Sequence, residues 1–505
     1  MSEQWHGSSD ARSAAAKSAL TARLGLLAGA ALLAATLLLP APGTLGDMAW
    51  RVCGVAALMV LWWVTEALPV AVTGLVPIVA LPLLGVVPLA EVTSAYGHPL
   101  IFLFLGGFLL AATIERWGLH RRLALHILRL AGSGPRSLVA GFMLATALLS
   151  MWLSNTATTI LMLPIGASVI GLVGSRLASA AGEPPGPDAR NFPIALMLGI
   201  AYAASIGGLA TLIGTPPNAL LAAYLEESRG LEIGFADWML LALPIAMLLL
   251  ALAWLLLVRL VYPLRKAPVE GVEAIIAREL QALGPLGRGE RLAGGLFLCT
   301  ALAWLTRPLI EQLWPGLQLS DTAIALAGAL AAFLIPARGR DGGGKADRLL
   351  DWASARKIPW GVLLLFGGGL SLASAIESSG LSPWFADLLV GLEGLPTILV
   401  VLLVAALIVF LTEVTSNTAT AALFIPLMAG VASGLGLAPL QLVLPVTLAA
   451  SCAFMMPVAT PPNAIVYAGG HLRVADMARA GLWLNLLAVA LIGGYAGWLV
   501  PILGP

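Results

Sequence analysis

The sequence predicts an all-α polytopic membrane protein built as an inverted repeat, with about 11 transmembrane helices plus two re-entrant helical hairpins. Three observations carry this reading. The 505 residues are 59% hydrophobic and only 10% charged, where soluble domains carry about 25% charged residues. Apolar runs of about 18 residues or more, enough to cross a bilayer, recur from residue 22 to the C-terminus. The second half of the chain also repeats the first at an offset of 262 residues.

Composition removes several function classes. The net charge is +1, so no basic field attracts nucleic acid. Cys53, Cys299 and Cys452 stand singly in apolar segments, without zinc or disulfide spacing, and read as small apolar packers. Residues 1–21 are polar and rich in Ala and Ser, and are expected to form a disordered cytoplasmic tail. The apolar stretch 24–39 is followed by no convincing cleavage site and reads as a retained first span.

Hydropathy places spans near 22–40, 48–67, 70–88 and 98–115, then a basic amphipathic stretch at 119–131. The apolar block 137–175 and the segments 192–224, 236–263, 291–310, 320–336 and 357–376 follow. A second amphipathic stretch, 380–394, precedes the block 395–433 and the segments 438–468 and 476–502. By hydropathy alone, 137–175 and 395–433 are each a pair of full spans or a re-entrant hairpin; the predicted fold takes them as hairpins. The expected layout is a first repeat with scaffold helices over 22–260, a cytoplasmic connection over 261–290 and a second repeat over 291–505.

Charge orients the chain. Lys and Arg crowd the connections 115–136, 264–291 and 337–360, whereas 225–237 and 377–394 are acidic. The positive-inside rule then places the N-terminus in the cytoplasm and the C-terminus outside. Either reading of the two ambiguous blocks preserves this parity. The expected location is the bacterial inner (plasma) membrane.

The repeat has three matched elements. Over 104–119 and 366–381 nine of sixteen positions are identical, including Ile114-Glu115 with Ile376-Glu377 and Gly118-Leu119 with Gly380-Leu381. At the same offset Ser154-Asn155-Thr156-Ala157-Thr158 matches Ser416-Asn417-Thr418-Ala419-Thr420. Thr215-Pro216-Pro217-Asn218-Ala219 then pairs with Thr460-Pro461-Pro462-Asn463-Ala464. The span at 98–115 runs inward while its counterpart at 357–376 runs outward, so the halves are inverted. Consecutive prolines break the helices at 192–224 and 438–468. Freed backbone at membrane depth is tolerated only where it is buried or lines a cavity. Inverted repeats with interrupted helices in matching places are the architecture of secondary transporters.

The interruptions are almost free of charge. Segments 137–175, 192–224 and 442–470 contain no Lys, Arg, Asp, Glu or His, and 395–441 contains only Glu413. An anion held there must be bound by N–H groups, hydroxyls and amides. Ser, Asn and Thr start helices. At hairpin tips, Ser154-Asn155-Thr156 and Ser416-Asn417-Thr418 would aim two positive helix ends at one another. That suits a molecule with two carboxylates. Each helix end supplies about half a unit charge, so cations must supply the rest. Hydroxyls, amide oxygens and carbonyls freed by Pro-Pro are hard ligands, which fits sodium and not softer metals.

The paired S-N-T motifs, the paired T-P-P-N breaks and Leu411-Thr412-Glu413 together resemble the divalent anion/sodium symporter family, over roughly residues 50–502. The resemblance implies that each hairpin and broken helix together hold one sodium ion. The first site would use Ser150, Ser154, Asn155 and the Gly214 carbonyl; the second would use Thr412, Asn417 and the Ala459 carbonyl. Substrate carboxylates would meet Ser154, Asn155, Thr156, Thr215 and Pro216 from one half, and Ser416, Asn417, Thr418, Thr460 and Pro461 from the other. It further implies a homodimer and an elevator motion, in which a transport domain slides against a scaffold. No cofactor is expected beyond sodium as coupling ion. Family members carry succinate, malate, fumarate, 2-oxoglutarate, citrate or sulfate. The expected function is sodium-coupled symport of C4 dicarboxylates. The alternatives are a dicarboxylate exchanger, a citrate or sulfate symporter, and an anion channel. No Ser/His, His-Glu-x-x-His or paired Asp constellation supports an enzyme.

Other residues read as follows. Glu413 is first a wetted carboxylate at a hairpin tip, with field support for a nearby cation as the functional alternative. Glu115 and Glu377 sit at span ends and read as interfacial. Gly367-Gly368-Gly369 lacks the strand and Lys of a phosphate loop and reads as a helix-packing seam.

Overall fold

The computed structural model describes residues 3–179, 187–264, 271–314, 316–317, 319–337, 347–381, 383–384 and 395–503. Among these, ten helices are long and apolar enough to cross a membrane, and shorter apolar helices lie between them. The fold is that of a polytopic helical membrane protein.

The chain opens with α1 (Glu3–Leu38) and α2 (Asp47–Val64). Helix α1 takes in most of the stretch expected to be disordered, where the run Ala14-Ala15-Ala16 favours helix. The span expected at 70–88 is not one helix. It is divided into α3 (Val70–Thr73) and α4 (Val76–Leu83), with Gly74 between them and Pro77 and Pro82 in the second piece. The Gly74 carbonyl freed at this break accepts the Tyr96 hydroxyl at 2.5 Å. Next come α5 (Leu89–Ser94) and α6 (Pro99–Trp117). The His98 ring caps α6 by accepting from Leu100 N–H at 3.3 Å.

The basic stretch is helix α7 (Leu119–Ala131). It is followed by the two arms of the first hairpin, α8 (Pro135–Ser150) and α9 (Asn155–Ser179). The first broken helix is α10 (Pro187–Leu209) with α11 (Pro216–Arg229), and then comes α12 (Phe235–Leu255). The 261–290 connection contains a helix of its own, α13 (Val272–Ala282). Arg121 of α7 pairs with Glu279 of α13 at 2.6 Å, and Arg122 pairs with buried Glu290 at 3.0 Å.

Helices α14 (Arg288–Leu313) and α15 (Asp321–Leu334) precede a small antiparallel pairing of β1 (Pro336–Ala337) with β2 (Asp347–Arg348). Then come α16 (Trp352–Ala355), α17 (Trp360–Ser378), and the second hairpin, α18 (Thr397–Thr412) with α19 (Asn417–Gly434). The second broken helix is α20 (Leu440–Ala450) with α21 (Pro461–Ala468), and α22 (Val474–Leu503) ends the chain. Most of the second amphipathic stretch, 380–394, lies outside the described residues.

The helices pack in several connected sets. In one, α8 and α9 lie on α10, while α18, α20 and α22 pack with one another. The halves interlock: α9 packs on α21, and α11 packs on α19. Elsewhere α1 lies on α2, α6 on α15, and α3 on α17, which in turn packs on α11 and α19. An aromatic stack joins the first hairpin tip to α12 and α14. Trp152 at the first hairpin tip stacks with Phe235 at 5.7 Å, and Phe235 stacks with Trp304 of α14 at 4.4 Å.

The repeated glycines are packing seams. A Cβ on Gly106 would lie 2.6 Å from the Ala325 Cβ, and one on Gly368, its counterpart, 2.2 Å from the Gly74 carbonyl oxygen. Gly118 and Gly380, also counterparts, take φ of 72° and 80°, which glycine enters without steric cost. Gly368→Ala is expected to destabilise the protein by about 1–3 kcal/mol, because backbone on α17 and at Gly74 must part. A thermal melt in detergent reads this, and an unchanged midpoint would refute the seam.

Candidate functional site: two hairpin tips against two helix breaks

At the first tip, α8 ends at Ser150 and α9 starts at Asn155. The Ser154 hydroxyl accepts from Ala157 N–H at 3.1 Å and caps α9. The N–H groups of Asn155 and Thr156 have no intrahelical acceptor, as at any helix start. The buried Ser150 hydroxyl lies 2.6 Å from Asn155 Oδ1 and 2.7 Å from the Ala204 carbonyl oxygen. Asn155 Oδ1 and the Gly214 carbonyl oxygen fall 2.9 Å and 3.1 Å from one point, the place a Cβ on Gly208 would occupy. Gly208 must therefore lack a side chain for these oxygens to meet.

The second tip repeats the arrangement. The buried Thr412 hydroxyl lies 2.7 Å from Asn417 Oδ1 and 3.0 Å from the Ala450 carbonyl oxygen. One hydroxyl carries one proton, yet it faces two acceptors in each half. Both clusters are rich in oxygen; in the first, the Asn155 amide nitrogen also lies 3.3 Å from the point where Asn155 Oδ1 and the Gly214 carbonyl meet. A hard cation with oxygen-only ligation satisfies such a cluster, and the residues present fit sodium. Among the described residues no group of three or more His, Cys, Asp and Glu could hold another metal.

The breaks are built alike. Thr215 (φ −145°, ψ 143°) and Thr460 (φ −141°, ψ 152°) are extended, and each precedes a helix that starts with Pro216 or Pro461. Pro at the first helical position costs nothing there, since that N–H has no partner anyway. Thr460 Oγ1 accepts from Asn463 N–H at 3.3 Å. The Thr211 hydroxyl donates to the Met151 carbonyl at 2.5 Å and ties the first break to the first tip. Thr215 and Thr460 are buried, Pro461 is exposed, and Ala459 is buried at the end of the second break. Ser154 and Thr156 line a cavity of about 470 Å³ that reaches Glu115, Arg116 and Lys357. Thr418, the counterpart of Thr156, is buried.

Glu413 is not the wetted carboxylate that its place at a hairpin tip predicts. It is 4% exposed. Its oxygens accept from the N–H groups of Phe454, Met455 and Met456 at 2.7, 2.8 and 2.9 Å, and from the Asn485 amide at 2.7 Å. It ties the second tip to the second break, as Thr211 ties the first. Sequence reasoning missed Asn485, Thr211 and the asparagines of T-P-P-N. Only the last left a signal, their recurrence in both halves.

Two hairpin tips set against two helix breaks are the arrangement of a secondary transporter. The sequence matches the family described as "Sodium:sulfate symporter transmembrane region" over residues 20–504, and the chain belongs to that family. It is 40% identical over 479 residues to the "Sodium-dependent dicarboxylate transporter SdcS" of Staphylococcus saprophyticus, covering 95% of this chain and 91% of that one. The protein of the same description from Staphylococcus aureus is 39% identical over 483 residues, with the same coverage. Among solved structures, the Alcanivorax borkumensis YdaH transporter aligns with a TM-score of 0.52 at 16% identity, covering 82% of this chain and 88% of that one. Neisseria gonorrhoeae MtrF aligns at 0.51 and 13% identity, covering 81% and 83%. At those identities the likeness is one of fold.

Proposed function

We propose that the protein carries C4 dicarboxylates such as succinate, malate and fumarate together with sodium ions. The observation that carries this is the pair of oxygen-rich clusters, one at each hairpin tip, beside N–H groups with no intrahelical acceptor. One sodium ion would sit with Ser150, Ser154, Asn155 and the Gly214 carbonyl. A second would sit with Thr412, Asn417 and the Ala459 carbonyl. Between them, Ser154, Asn155, Thr156, Thr215 and Pro216 would face one substrate carboxylate, and Ser416, Asn417, Thr418, Thr460 and Pro461 the other. The relatives named for sodium-dependent dicarboxylate transport support this choice of ion and substrate.

The hairpins, the broken helices, α12 and α22 would form the moving domain of an elevator. The remaining helices would form the scaffold of a homodimer in the bacterial inner membrane. The N-terminus would be cytoplasmic and the C-terminus outside, because the basic connections share one side. The cavity at Ser154 and Thr156 would then open toward Lys357 and the cytoplasm.

Radiolabelled succinate uptake into proteoliposomes, with a sodium, potassium or proton gradient alone, tests the proposal. Only the sodium gradient is expected to drive accumulation, and an internal succinate load is expected to accelerate exchange. Uptake indifferent to sodium would remove the coupling claim. No acceleration by internal succinate would point to a channel. A family described by sulfate favours one second reading, sulfate symport; sulfate uptake that excess succinate leaves untouched would support it.

A further inference from the structure

Each broken helix carries an asparagine that reaches back across its own break. Asn218, in the first turn of α11, is fully buried. Its Nδ2 lies 3.1 Å from the Gly208 carbonyl oxygen, 3.2 Å from that of Leu209 and 2.7 Å from that of Thr211. Asn463 stands at the same place in α21 and is equally buried. Its Nδ2 lies 3.2 Å from the Ala453 carbonyl oxygen and 3.0 Å from that of Met456. The two halves thus arrive at one cross-brace.

A helix that stops inside a protein leaves its last carbonyls without donors, and each unmet group is costly when buried. The asparagine amide meets that need from the next helix. In doing so it fixes how the break folds. The Gly214 backbone folds against Gly208: a Cβ on Gly214 would lie 2.4 Å from the Gly208 carbonyl oxygen. That is the oxygen Asn218 holds. On the other side of Gly208, Asn155 Oδ1 and the Gly214 carbonyl converge. In the second half Asn463 holds Ala453, and the next three N–H groups are those that bind Glu413, which follows Thr412.

We propose that Asn218 and Asn463 are positioning residues for ion coupling. They brace the breaks so that the Gly214 and Ala459 carbonyls face the hairpin asparagines at the distance a sodium ion needs. This rests on the sodium reading above. The amide oxygens of both residues are buried without a protein partner. A direct ion-ligand role for those oxygens is the rival, and the choice of substitution separates the two. Ala removes donors and acceptor alike, while Asp removes the donors and keeps an oxygen.

The test uses the full-length protein in proteoliposomes. Half-saturating sodium, the sodium Hill coefficient, and the succinate KM at saturating sodium are measured for Asn218→Ala, Asn218→Asp, Asn463→Ala and Asn463→Asp. Each variant is expected to raise half-saturating sodium about fivefold or more, the scale of a typical coupling between sites. The Hill coefficient should fall, and the KM at saturating sodium should stay within about twofold of wild type. Asp is expected to fail as Ala does at a pH high enough to keep its carboxylate ionised, since neither then donates. It is expected to recover in part at a pH where it is protonated and offers an O–H to the carbonyls.

Asp variants with wild-type or tighter sodium affinity would overturn the brace in favour of direct ligation. Equal losses in sodium and succinate affinity, with a lowered melting point, would reduce both residues to structural supports. Variants that match a sodium-dependent wild type would end the inference alone. A wild type indifferent to sodium would end the reading beneath it as well.

Discussion

Asn155→Ala and Asn417→Ala are each expected to abolish sodium-driven succinate uptake while leaving a folded, monodisperse protein. Each asparagine serves two purposes in the proposed site. Its Oδ1 belongs to an oxygen cluster, 2.6 Å from the Ser150 hydroxyl in one half and 2.7 Å from the Thr412 hydroxyl in the other. It is also the first residue of the returning arm, where N–H groups without intrahelical acceptors mark the positive end of the helix.

Loss of a supporting group around a metal typically costs about 10- to 100-fold in affinity, and loss of a direct ligand should cost at least that. The consequence for substrate is larger than for the ion alone. Two helix ends offer roughly one unit of positive charge between them, so a dianion left with one cation short remains unneutralised between hairpins and breaks that carry no Lys or Arg of their own. Uptake should therefore fall to background, not merely shift its sodium dependence. The side chains are half-buried at the tips, and Ala suits a helix start poorly but tolerably, so the melting point should move by only a few degrees. Near-normal transport by either variant would reject the assignment of the site.

The candidate site, still a proposal, stood out in the sequence where chemistry contrasts with its surroundings. Ser-Asn-Thr and Thr-Pro-Pro-Asn stand out because their neighbours are Leu, Ala and Gly, and because each recurs in order. Helix α7 was legible because its Arg and His residues alternate with Leu at helical spacing. The break at Gly74 was not, although Pro77 and Pro82 were in view, because a hydropathy window averages over an interruption that keeps its residues apolar. The Trp152 and Trp304 stack and the pairing of Glu413 with Asn485 were not legible at all. Both join residues distant in the chain, and neither has a partner in the other repeat. Internal symmetry exposes what the two halves share and is silent on what each half added.

Glu413 is the clearest such addition, and its removal should show mainly in stability. Met151 occupies the matching position in the first half, where the tie to the break is a single hydroxyl bond from Thr211. In the second half a carboxylate gathers three consecutive backbone N–H groups and the Asn485 amide. Glu413→Ala leaves four donors unmet, of which the Phe454 N–H and the Asn485 amide are buried and the Met455 and Met456 N–H groups half-buried. Each such group costs about 1–3 kcal/mol, so the total is several kcal/mol, a large part of the roughly 5–15 kcal/mol that holds a domain folded.

Glu413→Gln should be milder, because the amide oxygen still accepts from Phe454 and Met455. Its NH₂ group, however, would face the Met456 N–H. The expected order of melting points is wild type, then Gln, then Ala, with Glu377→Ala, an exposed counterpart of Glu115, close to wild type as control. Because α18, the second break and α22 meet at this carboxylate, loss of the tie should also loosen the Thr412 and Asn417 cluster. The Gln variant, if it folds, should then need more sodium for half-maximal uptake. A Glu413→Ala protein that melts with the wild type would show that the N–H groups of 454–456 find other partners, and the tie would lose its structural meaning.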